Sequence, residues 1–284
     1  MKDQYLSNMN NSYITYWDNV IREWADSGYV PASEGCWFTP DSTLRRELMP
    51  EPYWGDPDNC SAVLLNYNPG GPDGEPSPTD NCHRIHVLSG DMTKMSGAMY
   101  SCYSRIALEF PWLDESCRDD FTSNAAHSPT KKWMRQRNRW ISRIAGSGRK
   151  PFFLDLCGWH SKNWRLSEYT SEIDAYVAQH LLPVLGEAVK KSDLGIGLCV
   201  GKQIGDEVLS KLGYMDVTAE LGFDVKDMDK GWQPDSEVNR WYRVYRSADG
   251  HYFINTWAIG SNRQPGACFN KHEREIITKI KNIE

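Results

Sequence analysis

The sequence predicts an α/β protein, a three-layer α/β/α sandwich around a central, mostly parallel sheet of four strands. Short apolar runs typical of buried strands alternate with longer stretches whose apolar residues recur at helical spacing. The sequence contains no internal repeat, so we expect strands and helices to alternate within one layered arrangement. This arrangement predicts a single domain over residues 1–284, with a helical extension at about 1–50 and an insertion at about 220–250.

Besides the short helix at 204–212, five stretches are predicted to be helical, at about 12–28, 98–110, 130–146, 167–191 and from 270 onwards. The first lies near the N-terminus, and the last begins with the capping-box residues Asn270 and Glu273. Between them, residues 130–146 predict an amphipathic helix with a basic stripe, which is either a solvent-facing surface or a ridge that contacts phosphate groups. The apolar positions of the N-terminal helix are Ile14, Trp17, Ile21 and Trp24. The basic positions within residues 130–146 are Lys131, Arg135, Arg139 and Arg143.

Four apolar runs predict the strands, at residues 62–65, 151–159, 194–200 and 252–258. The third run turns into a short helix that Gly213 closes, as glycine often does at a helix end. Polar and apolar residues alternate just before the fourth run, which is typical of a hairpin.

The first strand ends abruptly in the segment Asn66-Tyr-Asn-Pro-Gly-Gly71. Short polar side chains and backbone N–H groups are therefore expected at the carboxyl edge of the sheet, where open α/β sheets bind their ligands. The same residue types also form ordinary turns for purely local reasons. The segment alone leaves both interpretations open.

The composition restricts the class of protein. A net charge of −6 argues against a surface covered with nucleic-acid contacts, although a local basic patch is still compatible with it. The 8 cysteines include no Cys-x-x-Cys pair, so we expect reduced thiols and neither a zinc site nor an iron–sulfur cluster. We expect no other metal and no cofactor. We also expect no signal peptide and no membrane span, and hence a cytoplasmic protein that is monomeric.

The order of these parts resembles the uracil-DNA glycosylase superfamily from Pro50 to the final helix. Asn66-Tyr-Asn-Pro-Gly70 is similar to the first motif of the mismatch-specific and single-strand-selective branches. Phe152-Phe-Leu-Asp-Leu156 resembles the strand that supplies the base-reading side chain, and Leu198–Gly205 resembles a strand-to-helix turn of the family. The segment Thr256–Phe269 takes the place of the second motif.

The resemblance implies hydrolysis of the N-glycosidic bond of a modified or damaged base in DNA, single- or double-stranded. Such an enzyme flips its target base out of the stack. The resemblance makes Asn68 the residue that holds the attacking water, whereas its local alternative is a turn residue before Pro69. Asn66, Tyr67 and Pro69 would line the pocket, and the backbone N–H groups of Gly70 and Gly71 would bind base oxygens or a phosphate.

Two residues near the second predicted strand are candidates for contact with the base. Asp155 takes the place of the family's base-reading asparagine, and an ionised carboxylate only accepts hydrogen bonds, which favours a base with an exocyclic amine over uracil. Its alternative is a structural cap or ion pair. His160 is a second candidate reader, with a structural histidine as its alternative.

The second motif departs from the family, since Ala258-Ile-Gly-Ser261 stands where a His-Pro-Ser-Pro signature is expected. Arg263 would supply positive charge there, and Ser261 or Asn262 would contact a phosphate or the minor groove. Because the histidine is missing, the alternative function is a catalytically inactive member of the fold that binds nucleic acid or a nucleotide. A small-molecule hydrolase that uses Asp155 or His160 is a third possibility.

Overall fold

The structure is a computed structural model. It describes residues 13–17, 19–21, 23–24, 27, 29–46, 50, 52–68, 129–161, 169–225, 231–234, 240–258 and 270–283. The side chains at 129–136, 258 and 270 are not part of this description.

Seven strands in the described part of the chain form one sheet, in the order β1-β3-β2-β4-β7-β6-β5. The strands are β1 (Tyr53–Trp54), β2 (Val63–Asn66), β3 (Phe152–Asp155), β4 (Ile196–Val200), β5 (Met215–Asp216), β6 (Arg240–Arg246) and β7 (Tyr252–Ala258).

The middle of the sheet is parallel and one side of it is antiparallel. β2 pairs in parallel with β4, and β4 pairs in parallel with β7. β3 also runs parallel to β2, because Phe152 N donates to Ala62 O and Cys157 N donates to Tyr67 O, so that the residue numbers rise together. β6 is antiparallel to both β7 and β5. The protein is therefore of the mixed α/β class.

The four predicted strands are present as β2, β3, β4 and β7, but the prediction of a four-stranded sheet is wrong. β1 and β5 have only 2 residues each, too few to show any periodicity in the sequence. β6 matches the predicted hairpin, and it extends the sheet because all 7 of its residues pair with β7. Whether the chain is one domain with the predicted extension and insertion stays a prediction.

The described helices follow the predicted apolar spacing, and the helix predicted at about 98–110 lies outside the described residues. They are α1 (Pro129–Ala145), α2 (Ser171–Tyr176), α3 (Leu182–Lys191) and α4 (Asn270–Lys281). Helical residues also occur within 13–27, with Ile14, Trp17, Ile21 and Trp24 all buried. A 3₁₀ helix covers Ala32–Trp37, and turns of π-helical geometry cover Val177–Leu181 and Ile204–Leu209.

The wide turn at Val177–Leu181 has a local cause in Pro183. Proline has no N–H to continue an α-helical hydrogen-bond ladder. Just before it, the N–H of Leu182 donates to Val177 O, five residues back, which is the spacing of a π-helical turn. The helix thus continues from α2 into α3 across the proline.

Helix α1 places its two faces as the sequence predicts. Trp140 and Ile144 are buried, whereas Arg139 and Arg143 of the basic stripe are exposed. Their exposure fits both predicted alternatives, a solvent-facing surface and a ridge that contacts phosphate groups. The buried Arg137 on the same helix was not expected from the pattern.

The chain divides into two compact units, each built from segments that are separate in sequence. The first comprises Met1–Asp56, Tyr67–Lys132 and Leu154–Leu185. The second comprises Pro57–Asn66, Trp133–Phe153 and Gly186–Glu284. Within the described residues, no helix has the length and apolar character that a membrane span requires.

Candidate functional site

The carboxyl end of β2 lies at a change of direction in the strand order. The chain goes from β2 to β3 on one side and later returns to β4 on the other side of β2. In open α/β sheets such a switch point leaves a crevice at the strand ends, which is where ligands bind. Asn66 ends β2 at this point and is partly exposed. The first predicted motif therefore begins at a position in the sheet that is compatible with a ligand site, and the alternative of an ordinary turn stays open.

The side chain of Asn68 is held by the segment that follows β3. Its amide nitrogen donates to Ser161 O at 2.9 Å and lies 3.5 Å from Trp159 O. An amide fixed through its nitrogen also has its carbonyl oxygen fixed in direction. Asn68 is partly exposed, so this oxygen belongs to a residue that solvent or a ligand can reach.

The segment that holds Asn68 is itself anchored by neighbouring backbone. Arg45 N donates to His160 O at 2.8 Å, and the Ser161 and Thr43 hydroxyls lie 3.0 Å apart. The His160 side chain is completely buried. The structure thus places the Asn68 amide beside the backbone of Trp159 and Ser161, and it gives the His160 side chain a buried position.

Asp155 lies near the N-terminal helix of the same unit. It is buried, and its backbone N–H donates to Pro52 O at 2.9 Å. Burial is the main cause that raises the pKa of Tyr13 and of Cys157, and the charge of Asp155 adds to the effect on both. The negative charge of Asp155 therefore helps to keep the Tyr13 hydroxyl and the Cys157 thiol protonated.

Of the remaining predicted site residues, the structure describes Tyr67 but not the residues of the two adjoining loops. Tyr67 is partly exposed, and its carbonyl accepts the hydrogen bond from Cys157. Outside the described residues lie Pro69, Gly70, Gly71, Ser261, Asn262 and Arg263.

A buried carboxylate, Glu34, lies next to the segment that holds Asn68. Glu34 is 0 % exposed and sits in the 3₁₀ helix of Ala32–Trp37. Its Oε2 accepts a hydrogen bond from Trp159 Nε1 at 2.8 Å, and its Oε1 accepts one from the Tyr16 hydroxyl. Trp159 therefore connects Glu34, through its indole, with Asn68, which lies near its backbone carbonyl.

Burial raises the pKa of Glu34 to about 7, although hydrogen bonds from Tyr16, Trp159 and Tyr176 oppose the shift. A carboxyl group that titrates near neutral pH can hold or release a proton under physiological conditions, which general acids and bases require. Such a shift also occurs in purely structural clusters. The shift alone therefore fits both a proton-transfer role and a structural role for Glu34.

Two partly exposed aromatic side chains, Tyr16 and His180, lie next to Glu34 in sequence of contact: Tyr16 is hydrogen-bonded to Glu34, and His180 stacks on Tyr16. The rings of Tyr16 and His180 stack at a centroid distance of 4.1 Å, and both side chains are partly exposed. Burial lowers the pKa of His180, which favours the neutral imidazole. The buried carboxyl group of Glu34 is thus hydrogen-bonded to the hydroxyl of Tyr16, a residue that is partly exposed at the surface of its unit.

The described cysteines near this cluster are poorly suited to nucleophilic catalysis. Burial, with a smaller contribution from the Glu34 charge, raises the pKa of Cys36 to about 12. Burial also raises the pKa of the Cys157 thiol. Because the thiolate is the nucleophile, both side chains stay protonated and unreactive near neutral pH.

Sequence analysis missed Glu34. It stands alone in a polar, irregular stretch, and its partners Tyr16 and Trp159 lie 18 and 125 residues away in sequence. No local pattern marks such a residue. Within the described residues, no group of three or more histidine, cysteine, aspartate or glutamate side chains is placed to hold a metal ion.

No protein-family model, curated protein or solved structure matches the chain.

Proposed function

We propose that the protein hydrolyses the N-glycosidic bond of a modified or damaged base in DNA, in the manner of the uracil-DNA glycosylase superfamily. The observation that carries this proposal is the geometry of Asn68. Its amide nitrogen is bound to Ser161 O at 2.9 Å, which fixes the direction of the carbonyl oxygen at the end of β2.

A fixed amide oxygen suits this reaction. The bond between C1′ and the base breaks first and passes through an oxocarbenium-like sugar, and the base leaves with the bonding electrons. A water then adds to C1′, and its proton goes to the base anion, which leaves as the neutral base. In this mechanism Asn68 accepts a hydrogen bond from the water and orients it, without the basicity that a direct displacement would need. Glu34 is linked to this amide through Trp159, whose indole N–H donates to Glu34 and whose carbonyl oxygen lies near the Asn68 amide nitrogen.

The topology supports the same proposal. The four parallel strands β3, β2, β4 and β7 are neighbours in this order, and the predicted motifs follow β2, β3, β4 and β7. In our proposal these strands form the central sheet of a three-layer α/β/α sandwich. The DNA would bind at the carboxyl end of β2, which Asn68 follows.

Asn68→Ala tests the proposal. We expect the variant to fold and to lose base release by at least about tenfold, because the water loses its only proposed orienting group. The matched control is Asn59→Ala, an exposed asparagine outside the site. Single- and double-stranded oligonucleotides with a panel of modified bases would be incubated with each protein, and abasic sites would be detected by alkaline cleavage. Base release that is equal in Asn68→Ala and wild type contradicts the assigned role.

The second candidate is a catalytically inactive protein of this fold that binds nucleic acid or a nucleotide. The observation that favours it is again the Asn68 amide, since its hydrogen bond to Ser161 O also stabilises the loop without any chemistry. Tight binding of the same oligonucleotides without abasic sites on any of them would support this candidate over the enzyme. Salt dependence of that binding would show phosphate contacts.

A further inference from the structure

The positive charge of the chain is concentrated in helix α1 and the turn that follows it. Residues 121–154 contain 8 lysines and arginines and no aspartate or glutamate, so this segment carries a charge of +8. Because the whole chain has a net charge of −6, the remaining residues carry −14. The acidic balance of the protein therefore does not extend to α1, which concentrates charge of the opposite sign.

The described part of α1 presents this charge to solvent. Arg139 and Arg143 are both exposed, and they lie about one helical turn apart, about 6 Å along the helix axis. Lys131 and Arg135 precede them in the same helix at the same spacing of four residues. Among the residues that the structure describes, neither Arg139 nor Arg143 forms an ion pair with a carboxylate. Their guanidinium groups are therefore available to a partner molecule.

Helix α4 adds a further cation beside α1. Arg274 of α4 is exposed, and its Nη2 donates to Arg143 O at 3.0 Å. On the buried side, Trp140 Nε1 of α1 lies 3.4 Å from Glu273 Oε1 of α4. These two contacts hold the helices side by side. We call the exposed residues Arg139, Arg143 and Arg274 the basic face.

The charge of α4 agrees with that of α1. α4 has 4 lysines and arginines and 2 glutamates, and one of the glutamates, Glu273, is completely buried. The exposed residues of α4 are therefore mostly positive. The basic face thus extends over two helices of the same compact unit.

The opposite side of α1 restricts the kind of partner. Trp140, Ile141 and Ile144 are buried. A helix that lies in a membrane interface inserts its apolar side into the lipid, and in α1 that side is already packed inside the protein. A helix with exposed arginines and a buried apolar side fits a partner that is recognised through its charge.

We propose that the basic face binds the phosphate backbone of DNA independently of the base sequence. A guanidinium presents its N–H groups as a planar fork that matches two phosphate oxygens. Duplex DNA carries one negative charge per about 1.7 Å of its axis, so arginines one helical turn apart can each meet a phosphate. Such contacts position a protein on DNA without reading its bases. The inference rests on the proposed function for its choice of DNA, but the binding needs no base release.

The first experiment measures the binding of the full chain to unmodified DNA duplexes. Fluorescence anisotropy of a labelled duplex would be recorded over a series of salt concentrations. We expect an affinity that falls linearly with the logarithm of the salt concentration, and equal affinities for two duplexes of the same length and different sequence. Absence of binding at about 50 mM salt overturns the proposal, and so does a strong preference for one of the two sequences.

The deciding variant is Arg139→Gln/Arg143→Gln. Each phosphate contact contributes about 0.9 to the slope of log affinity against log salt, so we expect the slope to fall by about 2. The control is Lys190→Gln, which removes an exposed lysine from α3 in the same unit and should leave the slope unchanged. An unchanged slope in the double variant overturns the proposal. A fall in the slope of about 1 in Lys190→Gln also overturns it, because the effect then belongs to the net charge.

Arg274→Gln tests whether the face extends to α4. We expect the slope to fall by about 1, because one phosphate contact is lost. A wild-type slope in this variant overturns the face that includes α4.

A charge-conserving variant separates charge from damage to the helix. Arg139→Lys/Arg143→Lys keeps both cations, so we expect the slope of wild type and a weaker affinity, because lysine lacks the planar fork. Thermal unfolding followed by circular dichroism would show that both double variants fold. A slope in the lysine variant as low as that in the glutamine variant overturns the proposal, since charge would then not decide it.

Two outcomes distinguish this inference from its alternatives. Vesicles of phosphatidylserine and phosphatidylcholine would test a membrane partner, and binding to them in preference to DNA overturns the proposal. DNA binding through the basic face without base release on any modified duplex keeps this inference and refutes only the proposed function. Base release by wild type, with an unchanged slope in Arg139→Gln/Arg143→Gln, refutes only this inference.

Discussion

Glu34→Gln should change how the stability of the protein depends on pH. Burial raises the pKa of Glu34 from 4.5 to about 7. Between these two values the folded protein holds a proton that the unfolded chain has released, so the free energy of unfolding falls as pH rises. The stabilisation is complete below about pH 4.5 and is lost by about pH 7. Glutamine keeps the size of the side chain and an oxygen that accepts from Trp159 Nε1, but it does not titrate.

The magnitude follows from the pKa shift. The pKa of Glu34 is about 2.5 higher in the folded protein than its ordinary value, and each pKa unit corresponds to about 1.4 kcal/mol, so the free energy of unfolding changes by about 3 kcal/mol. The side chain is 0 % exposed, so solvent screening hardly reduces this value. Relative to wild type, Glu34→Gln should therefore become more stable by up to about 3 kcal/mol as the pH rises from about 5 to about 8.

Urea denaturation at several pH values, followed by tryptophan fluorescence, measures this difference. Both proteins contain His180, so its own titration largely cancels. Glu23→Gln is the control, because it removes an exposed carboxylate from the N-terminal helical segment. A stability difference between Glu34→Gln and wild type that stays constant across this pH range would refute the reasoning.

Two further predictions concern packing and charge in the second unit. A Cβ at Gly197 would lie 2.3 Å from the ring of Phe253, so Gly197→Ala should lower the free energy of unfolding, measured by urea denaturation, by about 1–3 kcal/mol. The control Gly148→Ala, whose Cβ would have nothing within 4 Å, should lower it little. Equal effects of the two variants would contradict the packing argument. Asp206→Asn should cost about 1–2 kcal/mol, because the Arg243 side chain, only 10 % exposed, then loses an ion-pair partner. Equal stability of Asp206→Asn and wild type in urea denaturation would argue against this charge effect.

The sequence by itself determined the parts of the fold that depend on local pattern. The four apolar runs became β2, β3, β4 and β7, because a continuous apolar segment of this length is stable only when both faces are buried. The helical spacing of Trp17, Ile21 and Trp24 likewise predicted which residues are buried. The sequence also placed Asn68 just after the end of a strand, since a strand end depends on a few consecutive residues.

The tertiary structure alone decided the contacts that give the candidate sites their chemistry. Glu34 titrates near pH 7 because the fold buries it against Trp159, 125 residues away. Arg240 is buried beside Thr256, whose hydroxyl accepts from its Nε, because antiparallel pairing brings the start of β6 to the end of β7. A pKa or a charge balance depends on burial and on distant neighbours, and neither quantity is encoded in the local spacing of residues.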